Sequence, residues 1–225
     1  MNMQVGEAPV GYFRTRSAPH AQRVSLAYQR IMDCVICLLC APFAVAVGFV
    51  IALLIKVDGG SAFYSQRRIG LGGRTFHCFK FRSMVPGADE RLQEVLAQDP
   101  VARAEWDNYQ KLARDPRITP IGKLIRATSL DELPQLINVW RGEMSIVGPR
   151  PIMTEQIALY GENFGDYCAL RPGITGLWQI AGRNNCTFAE RVRLDMEYAQ
   201  TWSVLRDLQI IVLTIPAVLA GRGAR

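Results

Sequence analysis

The sequence predicts an α+β fold, in which a mostly helical domain with few strands is attached to one N-terminal membrane helix. Three observations predict it. Residues 34–55 form a run without a single charge. Residues 62–81 read as two short strands around a glycine-rich turn. The rest of the chain is divided by Pro and Gly into short segments that carry helix start signals.

The apolar run 34–55 has the length of a membrane anchor. A straight helix of these residues spans roughly 33 Å at about 1.5 Å per residue, and a bilayer core is about 30 Å thick. The run is too long for the apolar part of a signal peptide, and no small-residue cleavage site follows Ile55. We therefore interpret it as an anchor that stays in the protein.

Two features of this anchor leave its topology open. Pro42 removes a backbone hydrogen bond inside the run, which predicts a kink at Ala41-Pro42. Basic residues flank both ends, which places both ends in the cytoplasm. They are Arg14, Arg16, Arg23 and Arg30 before the run, and Lys56, Arg67, Arg68 and Arg74 after it. A re-entrant helix satisfies both observations, and a single-pass helix that tolerates its proline is equally compatible with the sequence.

The soluble part begins with a hairpin. Residues 62–69 and 74–81 read as strands, and Gly70-Leu-Gly-Gly73 reads as the turn between them. Helices are predicted over 88–97 and 101–113, separated by Asp99-Pro100, and over 119–126, with a proline in the first turn.

Two more helices are expected towards the C-terminus. Thr187-Phe-Ala-Glu190 has the form of a capping box and predicts a helix that runs towards Trp202. The apolar run 208–220 is too short to span a bilayer, so an interfacial helix is expected there. The sequence thus divides into an N-terminal arm (1–27), a membrane helix (28–57), a cytoplasmic domain (58–203) and an interfacial helix with a tail (204–225).

Composition limits the partners without naming one. The chain has a formal net charge of +6 and 49% apolar residues. Such a charge suits nucleic acid, anionic lipid or phosphorylated substrates. No nucleic-acid-binding module is recognisable and the chain carries an anchor, so we expect no nucleic acid among its partners.

Asp131 and Glu132 are the first candidate catalytic residues, because adjacent carboxylates need an explanation. Two interpretations remain open. The first is helix capping, either through a Ser129–Glu132 capping box or with Pro134 as the first helical residue, and the local pattern alone favours it. The second is catalysis: a helix N-terminus keeps carboxylates ionised, and ionised carboxylates serve as nucleophiles or metal ligands.

Basic residues around this pair favour a phosphate site. Lys123 and Arg126 precede the acids, and Arg150, Arg171 and Arg183 follow, each beside Pro or Gly. A rigid backbone fixes the direction of a guanidinium, which suits a bidentate grip on phosphate. Each arginine alone is better explained as a solvated turn residue, but together they indicate a binding site.

Five motifs follow one another from β-strand 74–81 to residue 183. They are Lys80-Phe-Arg-Ser-Met84, Ser129-Leu-Asp-Glu-Leu-Pro-Gln135, Ser145-Ile-Val-Gly-Pro-Arg-Pro151, Arg171-Pro-Gly-Ile-Thr-Gly176 and Gly182-Arg183. In this order they resemble the signature of the bacterial sugar transferases, the monotopic polyprenyl-phosphate sugar-1-phosphate transferases. The resemblance covers about residues 28–220 and is strongest to short members that initiate exopolysaccharide repeat units.

The resemblance implies a reaction at the cytoplasmic face of the bacterial inner membrane. A sugar 1-phosphate would pass from a UDP-sugar, UDP-galactose or UDP-glucose, to undecaprenyl phosphate, with release of UMP. Asp131 would be the nucleophile and would carry the phosphosugar covalently. Glu132 would orient a metal or accept a proton. The implied cofactor is Mg²⁺, with Asp131 and Glu132 as its ligands.

The resemblance also assigns substrate binding and the topology. Lys80, Arg82, Arg126, Arg150, Arg171 and Arg183 would bind phosphates or substrate. The catalytic domain would dock on a re-entrant helix that bends at Ala41-Pro42, where the family has Ser-Pro, so the proline is kept and the hydroxyl is lost. The lipid bilayer is an expected partner, and a homodimer is left open.

Two rival readings are also open. A membrane-attached interaction module could use the basic face to hold anionic lipid or a capsule-assembly partner, but it gives the Asp131–Glu132 pair no task. A transferase without a covalent intermediate is the nearest enzymatic rival.

Overall fold

A computed structural model describes residues 20–57, 60–110, 112–181 and 187–219. These ranges are mostly helical and hold two small sheets, as the α+β prediction requires. The helices are α1 (His20–Lys56), α2 (Ala88–Gln98), α3 (Pro100–Tyr109), α4 (Pro120–Ala127), α5 (Gln135–Arg141), α6 (Ile157–Tyr160), α7 (Phe164–Cys168), α8 (Leu177–Ala181), α9 (Phe188–Thr201) and α10 (Val204–Leu219). The strands are β1 (Phe63–Ile69), β2 (Thr75–Phe81), β3 (Ser145–Val147) and β4 (Gly173–Thr175).

Helix α1 contains the predicted anchor and begins eight residues before the boundary at 28. Among the described helices it is the one long and apolar enough to cross a membrane, over residues 26–56. Asp33 and Cys37 are buried at the start of the apolar run 34–55, and Ile51 and Ile55 are buried at its end, whereas residues 38–43 are all exposed. Both ends of the apolar run therefore pack against the rest of the protein, and residues 38–43 between them do not.

Polar contacts fix the first part of α1 on the domain. The buried carboxylate of Asp33 accepts hydrogen bonds from Ser145 Oγ at 3.0 Å and from the Ile146 N–H at 2.8 Å. Gln29 Nε2 donates to Asp207 Oδ2 of α10 at 3.1 Å. Buried polar groups are stable only when they are paired, so these bonds fix the position of α1 along the domain.

The predicted hairpin is confirmed. Strands β1 and β2 pair antiparallel, with Phe63 opposite Phe81. Asn138 of α5 fastens β2 to the rest of the domain: its side-chain oxygen accepts from the Phe79 N–H at 3.0 Å, and its amide donates to the His77 carbonyl at 2.7 Å. Strand β2, which ends in the first residues of the motif Lys80–Met84, is thus fixed against α5.

The predicted helices α2, α3 and α4 are confirmed, with one change of length. Asp99 caps α3 by accepting from the Val101 N–H at 2.8 Å, and Thr119 caps α4 by accepting from the Gly122 N–H at 2.9 Å. Helix α3 ends at Tyr109 instead of reaching residue 113, because Gln110 adopts a left-handed conformation with φ of 54°.

The two C-terminal helices also match the sequence. The capping box formed by Thr187 and Glu190 opens α9. Helix α10 contains most of the apolar run 208–220 and continues through Pro216. Its outer face is apolar and exposed, at Leu205, Leu208, Val212, Leu213 and Ile215.

Strands β3 and β4 run parallel, and their ends come so close that glycine is required. Ser145 pairs with Gly173, and the Gly148 N–H donates to the Thr175 carbonyl at 2.9 Å. A Cβ atom added at Gly148 would overlap the backbone at Arg171 and Gly173. This contact sets the course of the chain from Gly148 to Pro151, the segment that carries Arg150.

We predict that Gly148→Ala lowers the free energy of unfolding by about 3 kcal/mol, because its methyl group has no space between the two backbones. Gly165 of α7 is the matched control, since no atom lies within 4 Å of a Cβ added there. Gly165→Ala should leave stability unchanged or raise it by up to about 1 kcal/mol. Thermal unfolding of both variants checks the prediction, and equal effects would contradict the close approach.

Candidate active site

Asp131 and Glu132 lie on a 3₁₀ turn between α4 and α5. Asp131 is buried, with 8% of its surface exposed. Ser129 makes no capping hydrogen bond through its side chain, and the Glu132 side chain turns towards β2. The capping-box interpretation is therefore wrong, and the two carboxylates are free of that structural task.

The alternative capping interpretation describes the local backbone well. Helix α5 begins at Gln135, directly after Pro134, so both acids do precede the first helical residue. They stand at the N-terminal end of α5, where the helix dipole favours negative charge. This position leaves the side chains available for other contacts.

Lys80 of β2 lies between the two acids. Its Nζ atom is 2.7 Å from Glu132 Oε1 and 3.7 Å from Asp131 Oδ2. Both carboxylates thus direct an oxygen at one cation. This arrangement joins the motif on β2 to the motif before α5, which are about 50 residues apart in sequence.

Burial and charge affect the two acids differently. Burial raises the pKa of Asp131 above its ordinary value and Glu132 adds to the rise, whereas Lys80 and Arg126 oppose it. Burial also acts to raise the pKa of Glu132, but Lys80 and then Arg150 outweigh it, so this pKa lies below its ordinary value. Glu132 is therefore the more firmly ionised member of the pair.

Arg126 lies near Asp131 and Arg150 lies near Glu132, and their guanidinium groups are unused. Among the described residues, neither group donates a hydrogen bond or forms an ion pair, and Arg126 Nη1 is buried without a partner. The Arg150 guanidinium stacks over the Trp178 ring, 4.6 Å from its centre. Both arginines have donors left for an anionic ligand.

Each arginine lines one cavity: Arg150 lines the first together with Glu132, and Arg126 lines the second. We call the first the inner chamber; it is lined by Arg68, Cys78, Lys80, Glu132, Gln135, Arg150, Pro151, Gly173, Ile174 and Trp178. We call the second the outer cleft; it is lined by Ala113, Arg114, Asp115, Pro116, Ile118, Lys123, Arg126 and Ala127. The outer cleft measures about 690 Å³, within the usual range for small-molecule sites.

Arg82 and Arg171 lie outside this arrangement. Arg82 Nε donates to the Ser61 carbonyl at 2.6 Å and its Nη2 to the Ile55 carbonyl at 3.3 Å, so it fastens the end of α1. Arg171 Nε donates to the Gly142 carbonyl at 3.0 Å, just past the C-terminal end of α5. Arg171 Nη1, like Arg126 Nη1, is buried without a partner. Neither Arg82 nor Arg171 lines the cavities that contain Glu132, Arg150 and Arg126, so we leave both out of the candidate site.

The structure does not bring the three remaining predicted positions into the candidate site. Arg183 lies outside the described residues. Ala41 and Pro42 are exposed on the middle of α1, and the helix continues through them. A bend at this pair therefore stays a prediction.

The site is joined directly to the second half of α1. Ile51 and Ile55 of α1 form an apolar cluster with residues that surround the acidic pair. The cluster also contains Ile125 of α4, and Ile121 of the same helix packs against it. Leu130 and Leu133, which flank Asp131 and Glu132, pack against the cluster as well. The acidic pair is therefore held next to the apolar helix.

The donor set fits a hard divalent cation that also binds substrate. The described residues contain no group of three or more His, Cys, Asp or Glu side chains that could hold a metal alone. Mg²⁺, however, commonly uses one or two carboxylates and completes its shell with water and phosphate oxygens. Asp131 and Glu132 already converge on the Lys80 ammonium, so their oxygens can meet at one cation.

Sequence reasoning missed two residues of the inner chamber. Arg68 lines the inner chamber, but the sequence analysis counts it only among the charges that flank the anchor. The alternation of side chains along β1 predicts that Arg68 lies on the same face as Gln66, and this is the one local signal for its position. Trp178 is buried on α8, and no local pattern connects it to Arg150. Only the packed structure brings that pair together.

Comparison with known proteins agrees with this architecture. Residues 24–221 match the sequence profile described as bacterial sugar transferase. The exopolysaccharide production protein ExoY of Sinorhizobium fredii is 51% identical over 175 residues, which cover 78% of this chain and 77% of the relative. The undecaprenyl-phosphate galactose phosphotransferase of Salmonella typhimurium is 45% identical, over 91% of this chain and 43% of the relative.

A third relative carries a different sugar in its name. The UDP-glucose:undecaprenyl-phosphate glucose-1-phosphate transferase of Caulobacter vibrioides is 38% identical, over 85% of this chain and 69% of the relative. The profile match extends over most of the chain, from within α1 to the end of α10. The resemblance seen in the motifs is thereby confirmed: this chain is a transferase that belongs to the bacterial sugar transferase family.

Proposed function

We propose that this enzyme transfers a sugar 1-phosphate from a UDP-sugar to undecaprenyl phosphate, with release of UMP, at the cytoplasmic face of the inner membrane. The names of two relatives contain undecaprenyl phosphate, which supports this lipid as the acceptor. The same names give galactose and glucose as alternative sugars. The name of ExoY refers to exopolysaccharide production, which supports a role in the assembly of exopolysaccharide or another surface glycan. Transfer of the first sugar phosphate to the lipid carrier would be the first step of that assembly. The donor is accordingly UDP-galactose or UDP-glucose.

One observation carries the proposal. A buried carboxylate, Asp131, lies near the unused guanidinium of Arg126, and the leucines that flank the acidic pair pack on the apolar helix α1. A lipid phosphate lies at the surface of the bilayer, and a nucleotide sugar arrives from water. We infer that the nucleotide sugar enters through the outer cleft of about 690 Å³, which Arg126 lines, and that a nucleophile fixed beside a membrane helix meets both substrates.

Asp131 performs the transfer in two displacements. In the first, its carboxylate oxygen attacks the sugar-bearing phosphorus; a new O–P bond forms, the bond to UMP breaks, and UMP leaves with the electron pair. In the second, an oxygen of undecaprenyl phosphate attacks the same phosphorus and the O–P bond to Asp131 breaks. The lipid diphosphate sugar departs and the carboxylate is regenerated.

The basic residues make the first attack possible. A carboxylate that approaches a diphosphate meets like charge, so cations placed in advance where charge develops lower the barrier. Arg126 on the outer cleft and Arg150 on the inner chamber have donors for the diphosphate oxygens. Mg²⁺, held by Asp131 and Glu132, would supply further positive charge to the diphosphate.

Lys80 and Glu132 prepare Asp131 for this role. Burial raises the pKa of Asp131, which favours the protonated form that cannot attack, and the Lys80 ammonium opposes that rise. Glu132 holds Lys80 at 2.7 Å and so keeps the ammonium beside Asp131. The pair therefore divides its tasks, with Asp131 as nucleophile and Glu132 as the group that orients nearby cations.

The anchor fits a re-entrant topology. A spanning helix separates its ends by the bilayer core, about 30 Å, so only one end could contact a cytoplasmic domain. In this protein Asp33 and Ile55 are both buried against the domain, while residues 38–43 expose apolar surface between them. Helix α10, with its exposed apolar face, would lie at the membrane surface beside it.

We expect Asp131→Asn to abolish turnover, with a loss of at least about 10³-fold, because an amide oxygen is a far weaker nucleophile than a carboxylate. The measurement is UMP release from UDP-galactose with undecaprenyl phosphate. Asp107→Asn is the control, since Asp107 is exposed and pairs weakly with Arg103 at 4.0 Å. If the Asp131 variant turns over substrate at close to the control rate, Asp131 is not the nucleophile. If the wild type binds lipid but shows no turnover, the result favours the interaction module.

The covalent step predicts an adduct on one tryptic peptide. Trypsin releases residues 127–141, since Arg126 and Arg141 bound them, and Asp131 and Glu132 are the only acids inside. Wild-type enzyme incubated with UDP-galactose or UDP-glucose, without lipid acceptor, should carry one hexose phosphate on this peptide by mass spectrometry. Turnover without any such adduct would instead support direct transfer between the substrates.

The re-entrant helix predicts that both chain ends face the cytoplasm. Epitope tags at the N- and C-termini should resist protease in intact spheroplasts and be cleaved once detergent opens the membrane. A periplasmic marker protein reports that the protease is active. Cleavage of the N-terminal tag alone in intact spheroplasts would establish a single-pass helix and overturn this topology.

A further inference from the structure

Helix α4 has two opposite faces, one on the anchor and one on the outer cleft. Ile121 and Ile125 are four residues apart and share the face that packs in the apolar cluster at the end of α1. Lys123 and Arg126 lie about half a turn away from that face, and both line the outer cleft. Among the described residues that line the cleft, none belongs to α1 or to α10. Helix α4 therefore stands between the anchor and the cleft.

The outer cleft holds positive charge that the protein itself does not neutralise. Arg114 and Lys123 line it and are exposed, and no described residue forms an ion pair with either of them. Arg126 Nη1 is buried without a partner. The one acid among the described lining residues, Asp115, is already bound, because Arg117 donates to its two carboxylate oxygens at 2.8 and 2.7 Å. Such a cleft attracts an anionic ligand.

The second wall of the cleft, residues 113–118, is fixed before any ligand binds. The Val85 N–H donates to the Arg117 carbonyl at 2.8 Å, and the Thr119 N–H donates to the Ser83 carbonyl at 3.1 Å. These bonds tie the wall to the segment that follows the hairpin. A preformed site loses little conformational entropy on binding, so its affinity depends mainly on the contacts that it offers.

The basic face of α4 lies one turn of chain from the acidic pair. The Arg126 carbonyl accepts from the Ser129 N–H at 3.2 Å, and the Ser129 carbonyl accepts from the Glu132 N–H at 3.2 Å. The two phosphates of a nucleotide sugar share a single bridging oxygen. Arg126 can therefore hold one phosphate while Asp131 attacks the other.

We propose that the outer cleft holds the UMP part of the nucleotide sugar, and that Lys123 together with Arg126 binds the phosphate that leaves with it. The inference rests on the proposed function, which supplies the donor, and it adds the place of the nucleotide and a binding role for Lys123. When the bond to the sugar-bearing phosphorus breaks, the phosphate of UMP gains one negative charge. Cations placed there in advance stabilise the transition state more than the bound donor, so they accelerate the release of UMP.

Undecaprenyl phosphate also carries an anionic group, but the cleft fits the nucleotide better. The polyprenyl chain stays in the bilayer, and α4 separates the cleft from the anchor. The cleft measures about 690 Å³, which exceeds the needs of a single phosphate group. Apolar groups beside the cations give a base and a ribose a surface to pack on, and they come from Ala113, Pro116, Ile118 and Ala127.

The first experiment measures the binding of UMP to the full-length enzyme by titration calorimetry, at a fixed Mg²⁺ concentration. Lys123→Gln removes the charge and keeps a similar length, so UMP should bind about tenfold more weakly, the usual scale for one charge-assisted hydrogen bond. Lys123→Arg should stay within about threefold of the wild type because it restores the cation. Arg103→Gln is the control: Arg103 is exposed on α3 outside the cleft, so the change should be less than about twofold.

A second pair of variants tests the space of the cleft independently of its charge. Ala113→Trp places a large side chain at the cleft and should also weaken UMP binding by at least about tenfold, because the nucleotide loses its room. Ala104→Trp makes the same change at an exposed position of α3 outside the cleft and should leave UMP binding unchanged. The melting temperature of each variant reports structural damage separately.

The two half-reactions show which displacement the cleft serves. Lys123→Gln should slow the formation of the phosphosugar adduct from UDP-galactose or UDP-glucose by about tenfold. UMP has left before the second displacement, so the transfer of a preformed adduct to undecaprenyl phosphate should proceed at the wild-type rate. Mass spectrometry of the enzyme follows both steps.

Unchanged UMP affinity in Lys123→Gln or in Ala113→Trp would overturn the inference. A slower second displacement with normal adduct formation would also overturn it, because the cleft would then serve the lipid phosphate. A wild type that neither binds UMP nor consumes UDP-galactose or UDP-glucose contradicts the proposed function instead. A wild type that consumes a donor while the variants keep its UMP affinity contradicts only the inference, so the two failures are distinguishable.

Discussion

The contact of the Lys80 ammonium with two adjacent carboxylates is the interaction on which the rest of the site depends. Two buried acids side by side disfavour each other's ionised form, and burial together with Glu132 raises the pKa of Asp131. Lys80 lies within 4 Å of both, and Glu132 in turn holds it. The hairpin, α5 and the bond network of Asn138 serve to keep these groups at contact distance.

Helix α5 connects the acidic pair to helix α1, the predicted membrane anchor. The acidic pair stands at its N-terminal end, and Arg30 of α1 donates to the Val139 and Trp140 carbonyls at the other end. Arg171 holds the Gly142 carbonyl just beyond. Cations at a helix C-terminus satisfy its free carbonyls and favour its dipole, so α1 supports α5. In the proposed mechanism, this contact holds Asp131 at a fixed depth beside the membrane.

The sequence predicts elements well where the signal is local, as the hairpin, the capped helix starts and the apolar α1 show. The sequence cannot show which of Arg150 and Arg171 can bind a ligand, because both are next to a proline. Only tertiary contacts show that Arg171 donates to a backbone carbonyl, whereas the Arg150 guanidinium stacks on Trp178. Ser129 and Glu132 match a capping box, but Lys80 competes for the glutamate.

The stereochemistry at the transferred phosphorus tests the central claim most directly. Each in-line displacement inverts the phosphorus, so a route through Asp131 inverts it twice. A UDP-sugar whose sugar-bearing phosphate is made chiral with sulfur and oxygen isotopes can be converted to the lipid product and its configuration compared. The account predicts net retention; net inversion would show a single displacement and would contradict a phosphosugar bound to Asp131.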